Sequence, residues 1–228
     1  MLDILHNNDW ERPIYFTGGS YDDSEYFWMK DYLQLDGLVY KLVPIKTPID
    51  PNNPYQMGRI DTDIMYDVVM KWDWGNSDSQ DIYHDPETRK NSISFRSNIT
   101  RLAETLIDEG QKEKAITVLD LAMEKMPIET FGYYSLVIPI AAAYYRAGSL
   151  DKAQKIVTTI ASGYEEYMRY YVQWNSDEQL MLMEDIVANV ERYKSLLTEI
   201  IKAKDHKSMT ALFDSFFESI MPFSYIYG

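Results

Sequence analysis

The chain has 228 residues, 46% of them hydrophobic and 14% aromatic, which suffices for one large packed domain or two small ones and excludes a disordered chain. Its 36 acidic and 22 basic residues leave a formal charge of −14; nucleic-acid affinity comes largely from lysine and arginine displacing counterions, so DNA and RNA are not expected partners. The absence of cysteine excludes disulfides, thiolate zinc sites and cysteine nucleophiles, and no apolar run reaches the roughly 20 residues of a membrane span.

Leu2, Ile4, Leu5 and Trp10 read as the end of an apolar helix that starts without a cap, so the expectation is a piece of a longer protein. The start has neither the basic segment nor the cleavage site of a secretory leader. Pro13-Ile14-Tyr15-Phe16-Thr17 is β-prone and closed by Gly18-Gly19-Ser20, and residues 37–44 form a second such run closed by Pro44; the two are expected to pair. Between them, residues 22–33 read as a short helix with Tyr26, Phe27, Met29 and Tyr32 apolar, which predicts strand, helix, strand rather than a hairpin. Pro48, Pro51 and Pro54 forbid regular structure over residues 47–54 and mark a joint. Asp61 then caps a helix with Ile64, Met65, Val68 and Val69 on one face. After Trp72 the chain is acidic and polar through Asp85, and the next helix starts near Pro86, a favoured first helical position.

Gly110 and Gly148 organise the next stretch. Each has an alanine seven residues before it (Ala103, Ala141) and another five after it (Ala115, Ala153). Ile99, Leu102 and Leu106 lie before the first glycine and Ile116, Leu119 and Ala122 after it, with Pro127 closing the unit. Val137, Ile140 and Tyr144, then Ile156, Val157 and Ile160, repeat the pattern, with Glu165 where the closing proline would stand. The units are 38 residues apart, close to the roughly 34-residue tetratricopeptide period plus a short insertion. The alanines are small where helices cross, and the glycines allow the positive φ of a tight turn. Beyond the repeats, Gly163 is expected to interrupt or bend a segment carrying Tyr164, Tyr167, Tyr170, Tyr171 and Trp174. A long helix from Asp177 carries Met183, Ile186, Val187, Val190, Leu197, Ile200 and Ile201 at three-and-four spacing. Met209, Leu212, Phe213, Phe216, Phe217 and Ile220 form one stripe of a last helix suited to cap the stack, with a partner or membrane surface as the alternative. The predicted fold is mostly α: a small α+β unit over residues 1–92 with a short sheet, and a tetratricopeptide-like helical stack over 93–228.

Catalytic constellations are weak. Asp61 and Asp63 mimic a metal-holding aspartate pair, but Asp61 is better explained as a helix cap. Asp73, Asp78, Asp81 and Asp85 lack the glycine and glutamate spacing of a calcium loop and read as a solvated acidic stretch. His6, His84 and His206 are scattered without partners at metal-ligand spacing. Gly18-Gly19-Ser20 precedes acidic residues that would repel a phosphate. No catalytic residue, metal or cofactor is expected. The informative excess is aromatic: with nineteen tyrosines and five tryptophans, Tyr133, Tyr144, Tyr167, Tyr170 and Trp174 are the candidate binding residues for an extended peptide or glycan on a concave face. The competing reading has Tyr133, Tyr134, Tyr144, Tyr145, Tyr170 and Tyr171 filling interhelical space. The negative charge favours a neutral or basic ligand over an acidic one.

Three segments carry a resemblance to a known family: Trp10-Glu11-Arg12-Pro13-Ile14-Tyr15-Phe16; residues 32–44, which include Leu35-Asp36-Gly37; and Arg101-Leu102-Ala103 with Gly110 and Lys114-Ala115-Ile116. The chain resembles the C-terminal region of large bacterial multi-spanning membrane proteins. The resemblance implies a glycosyltransferase-like membrane domain related to protein O-mannosyltransferases that use lipid-linked sugars, followed by an extracytoplasmic domain like this one. The spanning segments are missing here, so it brings no catalytic residue to this chain and places its membrane association in a region outside it. The expectation is a non-catalytic recognition or scaffolding domain on the periplasmic side, contacting an acceptor peptide, a glycan or a protein partner. Composition alone leaves the compartment open, the cytoplasm included. The alternatives are a stand-alone carbohydrate-active enzyme with paired carboxylates and a nutrient-binding repeat protein.

Overall fold

The computed structural model describes residues 2–17, 27–49, 57–79 and 81–226. Gly18-Gly19-Ser20, the acidic residues that follow, Tyr26 and most of the 47–54 segment lie outside the described residues. The fold is mostly α with a short antiparallel sheet near the N-terminus.

After helix α1 (Leu2–Asn8) come strands β1 (Tyr15–Phe16), β2 (Leu33–Asp36) and β3 (Val39–Leu42), in the order β1-β3-β2. The expected pairing of β1 with β3 is present, Tyr15 opposite Lys41 and Phe16 opposite Tyr40. The strand, helix, strand reading needs correction, because β2 and β3 form a hairpin across Gly37-Leu38, with Leu33 opposite Leu42 and Asp36 opposite Val39. Among the described residues of the expected helix, Phe27–Tyr32 form a 3₁₀ segment. The alternation Leu33-Gln34-Leu35-Asp36 is a strand pattern whose polar members are also buried, because they satisfy one another: Gln34 Nε2 donates to Asp36 Oδ1 at 2.9 Å, and Arg59 Nη1 donates to Gln34 Oε1 at 2.7 Å. The Arg59 backbone covers the outer edge of β2, exchanging hydrogen bonds with Leu33 and Leu35.

Helix α2 (Thr62–Met70) starts where Asp61 accepts from the Ile64 N–H at 3.2 Å. Its buried apolar face is Met65 and Val69, whereas Ile64, expected on that face, is exposed. Helix α3 (Pro86–Asp108) is capped by Asp85 and runs through residues 92 and 93 without a break. It receives the sheet: Asn98 Nδ2 donates to Gly37 O at 2.8 Å, and buried Arg101 donates to the carbonyls of Met57 and Gly58.

Helices α3 and α4 (Lys112–Lys125) form one tight pair, and α6 (Ile138–Ala147) and α7 (Leu150–Val172) a second. Gly110 and Gly148 have φ of 80° and 88° and close equivalent turns, in which Gln111 N–H returns to Leu106 O and Ser149 N–H to Tyr144 O. Ala103, Ala115, Ala141 and Ala153 are all buried, as their spacing predicted. Pro127 ends α4, and the short α5 (Ile128–Phe131) and a 3₁₀ turn, Tyr134–Leu136, lead into α6. Gly163 does not interrupt α7, whose 23 residues run on past it to Val172. The single helix expected from Asp177 is two, α8 (Ser176–Met181) and α9 (Met183–Lys202), divided at Leu182. A capping box of Asn175 and Glu178 starts α8, and Gln179 ties it to the carbonyls of Tyr171 and Trp174, while α9 follows its own buried stripe of Ile186, Val190, Leu197 and Ile200.

Helix α10 (His206–Ile220) lies on α7 and α9, burying Leu212 and Phe216 but leaving Phe217 exposed, so only part of the phenylalanine stripe is core. Asp205 locks its start: its carboxylate accepts from Tyr145 Oη at 2.7 Å, Gln154 Nε2 at 3.0 Å and both the N–H and hydroxyl of Ser208. One hydrophobic core runs from Leu35, Met65 and Val69 through both helix pairs to Phe223.

Candidate functional site

The site is built from a buried cation outward. Arg96 sits one turn before Ile99 on the inward face of α3, fully buried, and its guanidinium donates to Gly132 O at 2.7 Å and Met126 O at 2.6 Å. It also lies 6.0 Å from the Phe131 ring centroid. Burial lowers its pKa to about 10, which leaves it charged at neutral pH. The planar fork thereby satisfies carbonyls at both ends of the 126–132 segment and holds α5 in place. Gly132 then turns with φ 63°, and Tyr133 follows with φ 52°, a left-handed conformation that costs a non-glycine residue on the order of 1–3 kcal/mol. That turn directs the chain back into Tyr134.

Opposite stands a wall of two helices. Tyr164, Tyr167 and Tyr171 recur at three and four residues along α7, and Asp185, Asn189 and Arg192 do the same along α9, so each trio shares one helical face. Together with Arg89, Glu129, Tyr133 and Tyr134 they enclose a cleft of about 620 Å³. An adjoining cleft of about 540 Å³ is lined by Gly163, Glu166, Tyr170 and Leu182 and shares Tyr134, Tyr167, Tyr171 and Asp185 with the first. Both volumes fall within the roughly 300–1,000 Å³ of small-molecule sites. The rings pack edge to face, Tyr134 on Tyr164 at 5.8 Å and on Tyr167 at 6.3 Å, while Tyr164 stacks on the buried Tyr193.

The polar groups of the larger cleft are unusually free. Arg89, Glu129, Asp185 and Arg192 have no side-chain hydrogen bond or ion pair among the described residues. Arg89 Nε and Tyr164 Oη are shielded from solvent and have no partner. Burial pushes the Tyr164 phenol up to about 12, so it is a neutral donor and acceptor at physiological pH. Asn189 Nδ2 donates to Tyr171 Oη at 3.1 Å, which orients that phenol.

Of the five candidate aromatics, Tyr133 and Tyr167 line the larger cleft and Tyr167 and Tyr170 the adjoining one. Trp174 lies beyond them, edge to face on Tyr170 at 5.8 Å. These four are 36%, 45%, 49% and 38% exposed in chain order. Tyr144 does not belong with them. It is 2% exposed, buried between the helix pairs, with its hydroxyl donated to Asp120 Oδ1 at 2.8 Å and its pKa raised by burial. Tyr134, Tyr164 and Tyr171 complete the cleft; the spacing of Tyr164 and Tyr171 with Tyr167 along α7 was the signal in the sequence, whereas Tyr134 and Arg89 reach the cleft from other segments with no such signature.

The other sequence candidates disperse. Asp73 caps the Gly75 N–H, Asp78 pairs with Lys125 at 3.0 Å and Asp85 caps α3. Among the described residues no three histidine, aspartate or glutamate side chains are grouped to hold a metal ion. His84 packs on Phe131 with ring centroids 5.1 Å apart.

Fold and cleft define a helical chain with a small sheet and an aromatic, polar groove, in which no described helix is long and apolar enough to cross a membrane. Residues 1–64 match the family model of TMEM260-associated domain 2. That stretch holds the sheet and the start of α2; the cleft lies outside it. No curated protein and no solved structure matches the chain.

Proposed function

We propose that this chain is a non-catalytic recognition or scaffolding domain of a membrane-bound glycosyltransferase-like protein, standing on its extracytoplasmic side and binding an acceptor peptide or glycan. The observation that carries the reading is the row of exposed rings, Tyr133, Tyr167, Tyr170 and Trp174, beside a cleft of unpaired polar side chains. Tyrosine combines an apolar ring with a polar tip, which suits weak, adaptable contacts to extended ligands. The similarity of residues 1–64 to a TMEM260-associated domain supports the membrane-protein context, and the same stretch carries two of the segments that resemble the O-mannosyltransferase-related family. The two glycine-turned helix pairs support a tetratricopeptide-type scaffold for the groove. The test is calorimetric and nuclear magnetic resonance titration of the chain with serine- and threonine-rich peptides and with neutral glycans, beside Tyr170→Ala and Trp174→Ala. Saturable binding weakened by these variants is expected; binding by none of the probes defeats the reading.

One observation favours a second reading as a carbohydrate-active enzyme: Glu129 and Asp185 line the same cleft and are both unpaired. Glycoside cleavage uses two flanking carboxyl groups. Turnover of chromogenic glycosides that disappears in Glu129→Gln or Asp185→Asn would put this reading first.

A further inference from the structure

We infer that the larger cleft takes a neutral oligosaccharide, held through its ring hydroxyls by Arg89, Arg192, Glu129 and Asp185. The inference rests on the recognition reading above and names its ligand class. The cleft brings two guanidinium groups and two carboxylates together without pairing any of them. An acidic ligand meets Glu129 and Asp185 in a chain whose net charge is already −14, and a basic ligand meets Arg89 and Arg192. A hydroxyl group suits both signs, because it donates to a carboxylate and accepts from a guanidinium with the same oxygen. Neighbouring ring hydroxyls extend this to the planar side chains of arginine, aspartate, glutamate and asparagine, whose two terminal atoms can engage two hydroxyls at once.

The aromatic groups point the same way. Tyr133, Tyr167 and Tyr170 offer exposed ring surface beside the polar groups, matching a pyranose with its apolar C–H face and polar rim. Arg89 Nε and Tyr164 Oη, both out of solvent and unpartnered, are a donor and a donor–acceptor that a ligand hydroxyl can satisfy. An extended peptide is the poorer fit. Strand addition needs an open sheet edge and helix docking needs an apolar groove, and this cleft lies among helices and is lined by phenols and charges. The shared wall of Tyr134, Tyr167 and Tyr171 continues it into the adjoining cleft, so the site extends beyond one sugar ring.

The experiment titrates the full chain with mannotriose and cellotriose as neutral probes, trigalacturonate as the acidic one, chitosan trimer as the basic one, and a serine- and threonine-rich peptide. At least one neutral trisaccharide should bind at least tenfold more tightly than either charged trimer. Arg192→Gln and Asp185→Asn should each weaken it fivefold or more. Both side chains are exposed, so thermal unfolding of these variants should match the parent. Preference for a charged trimer, or neutral binding that both variants leave intact, overturns the inference. Binding of the peptide with none of the saccharides overturns it while leaving the recognition function standing; binding of nothing removes both.

Discussion

The ring of Tyr134 lies against the backbone of Gly163, so close that a Cβ at position 163 would sit 2.6 Å from Tyr134 Cε2 and 2.8 Å from its Cζ. Gly163 is therefore a point of close approach inside a continuous helix. It seats the ring that forms part of the wall between the two clefts. Alanine in an unobstructed helix interior is favoured over glycine by about 1 kcal/mol. Gly163→Ala should lose that gain to the clash with the Tyr134 ring, leaving stability at or below that of the parent. It should also shift the ring resonances of Tyr134 and Tyr167. Chemical denaturation and aromatic nuclear magnetic resonance spectra check both; a full stabilisation with unmoved rings would refute the role.

Arg96 is the buried fastener of the cleft wall. Arg96→Met keeps much of the side-chain length but removes the donors to Met126 O and Gly132 O. Leaving buried carbonyls unsatisfied costs roughly 1–3 kcal/mol each, so a loss of about 2–4 kcal/mol is expected. Arg96→Lys should recover only part of it, since one ammonium does not reproduce the planar fork. Urea unfolding gives the stability, and slowed or quickened exchange of the amide protons around residues 128–136 reports the loop; acceleration is the expected sign.

Gly110 and Gly148 should respond alike to substitution. Neither has an atom within 4 Å of where a Cβ would lie, so the penalty is purely the left-handed backbone. Alanine at either position should cost about 1–2 kcal/mol, and valine more because a β-branched side chain is the more strained there. Denaturation midpoints of the four variants test this; a large cost at one glycine only would point to crowding that the structure does not contain.

Asp205 predicts an acid limb of stability. Burial alone raises its pKa, but hydrogen bonds from Ser208, Tyr145 and Gln154 outweigh that and hold it below the usual aspartate value. A carboxyl group whose folded pKa is depressed contributes its stabilisation in full above the unfolded value, about 3.9, and loses it as pH falls through the lower folded one. The melting temperature of the parent should therefore fall on acidification from about pH 5 downward. Asp205→Asn should melt lower at pH 7 and show a shallower acid dependence. Parallel curves for the two proteins would remove Asp205 as a cause.

What the sequence determined by itself is whatever rests on local chemistry. Gly110, Gly148 and their flanking alanines specify two helix pairs because positive φ and small crossing residues are requirements of the turn and the contact, independent of the rest of the chain. Asp61, Asp85 and Pro127 mark helix ends for the same kind of reason. The hairpin was legible in principle, since Leu33-Gln34-Leu35-Asp36 alternates, but its polar residues are buried only because Arg59 returns from 25 positions further along to satisfy Gln34. The cleft was half legible: Tyr167 and Tyr170 follow from helical spacing, whereas Tyr144, on the partner helix α6 of the same pair, is buried with its hydroxyl bound to Asp120. Tertiary structure alone decided that Gly163 receives a ring and that Arg96 holds a loop. It alone brought Arg89, Glu129, Asp185 and Arg192 from three separate segments around one space. Such roles depend on which distant backbone arrives next to a residue, and no periodicity within one helix records that.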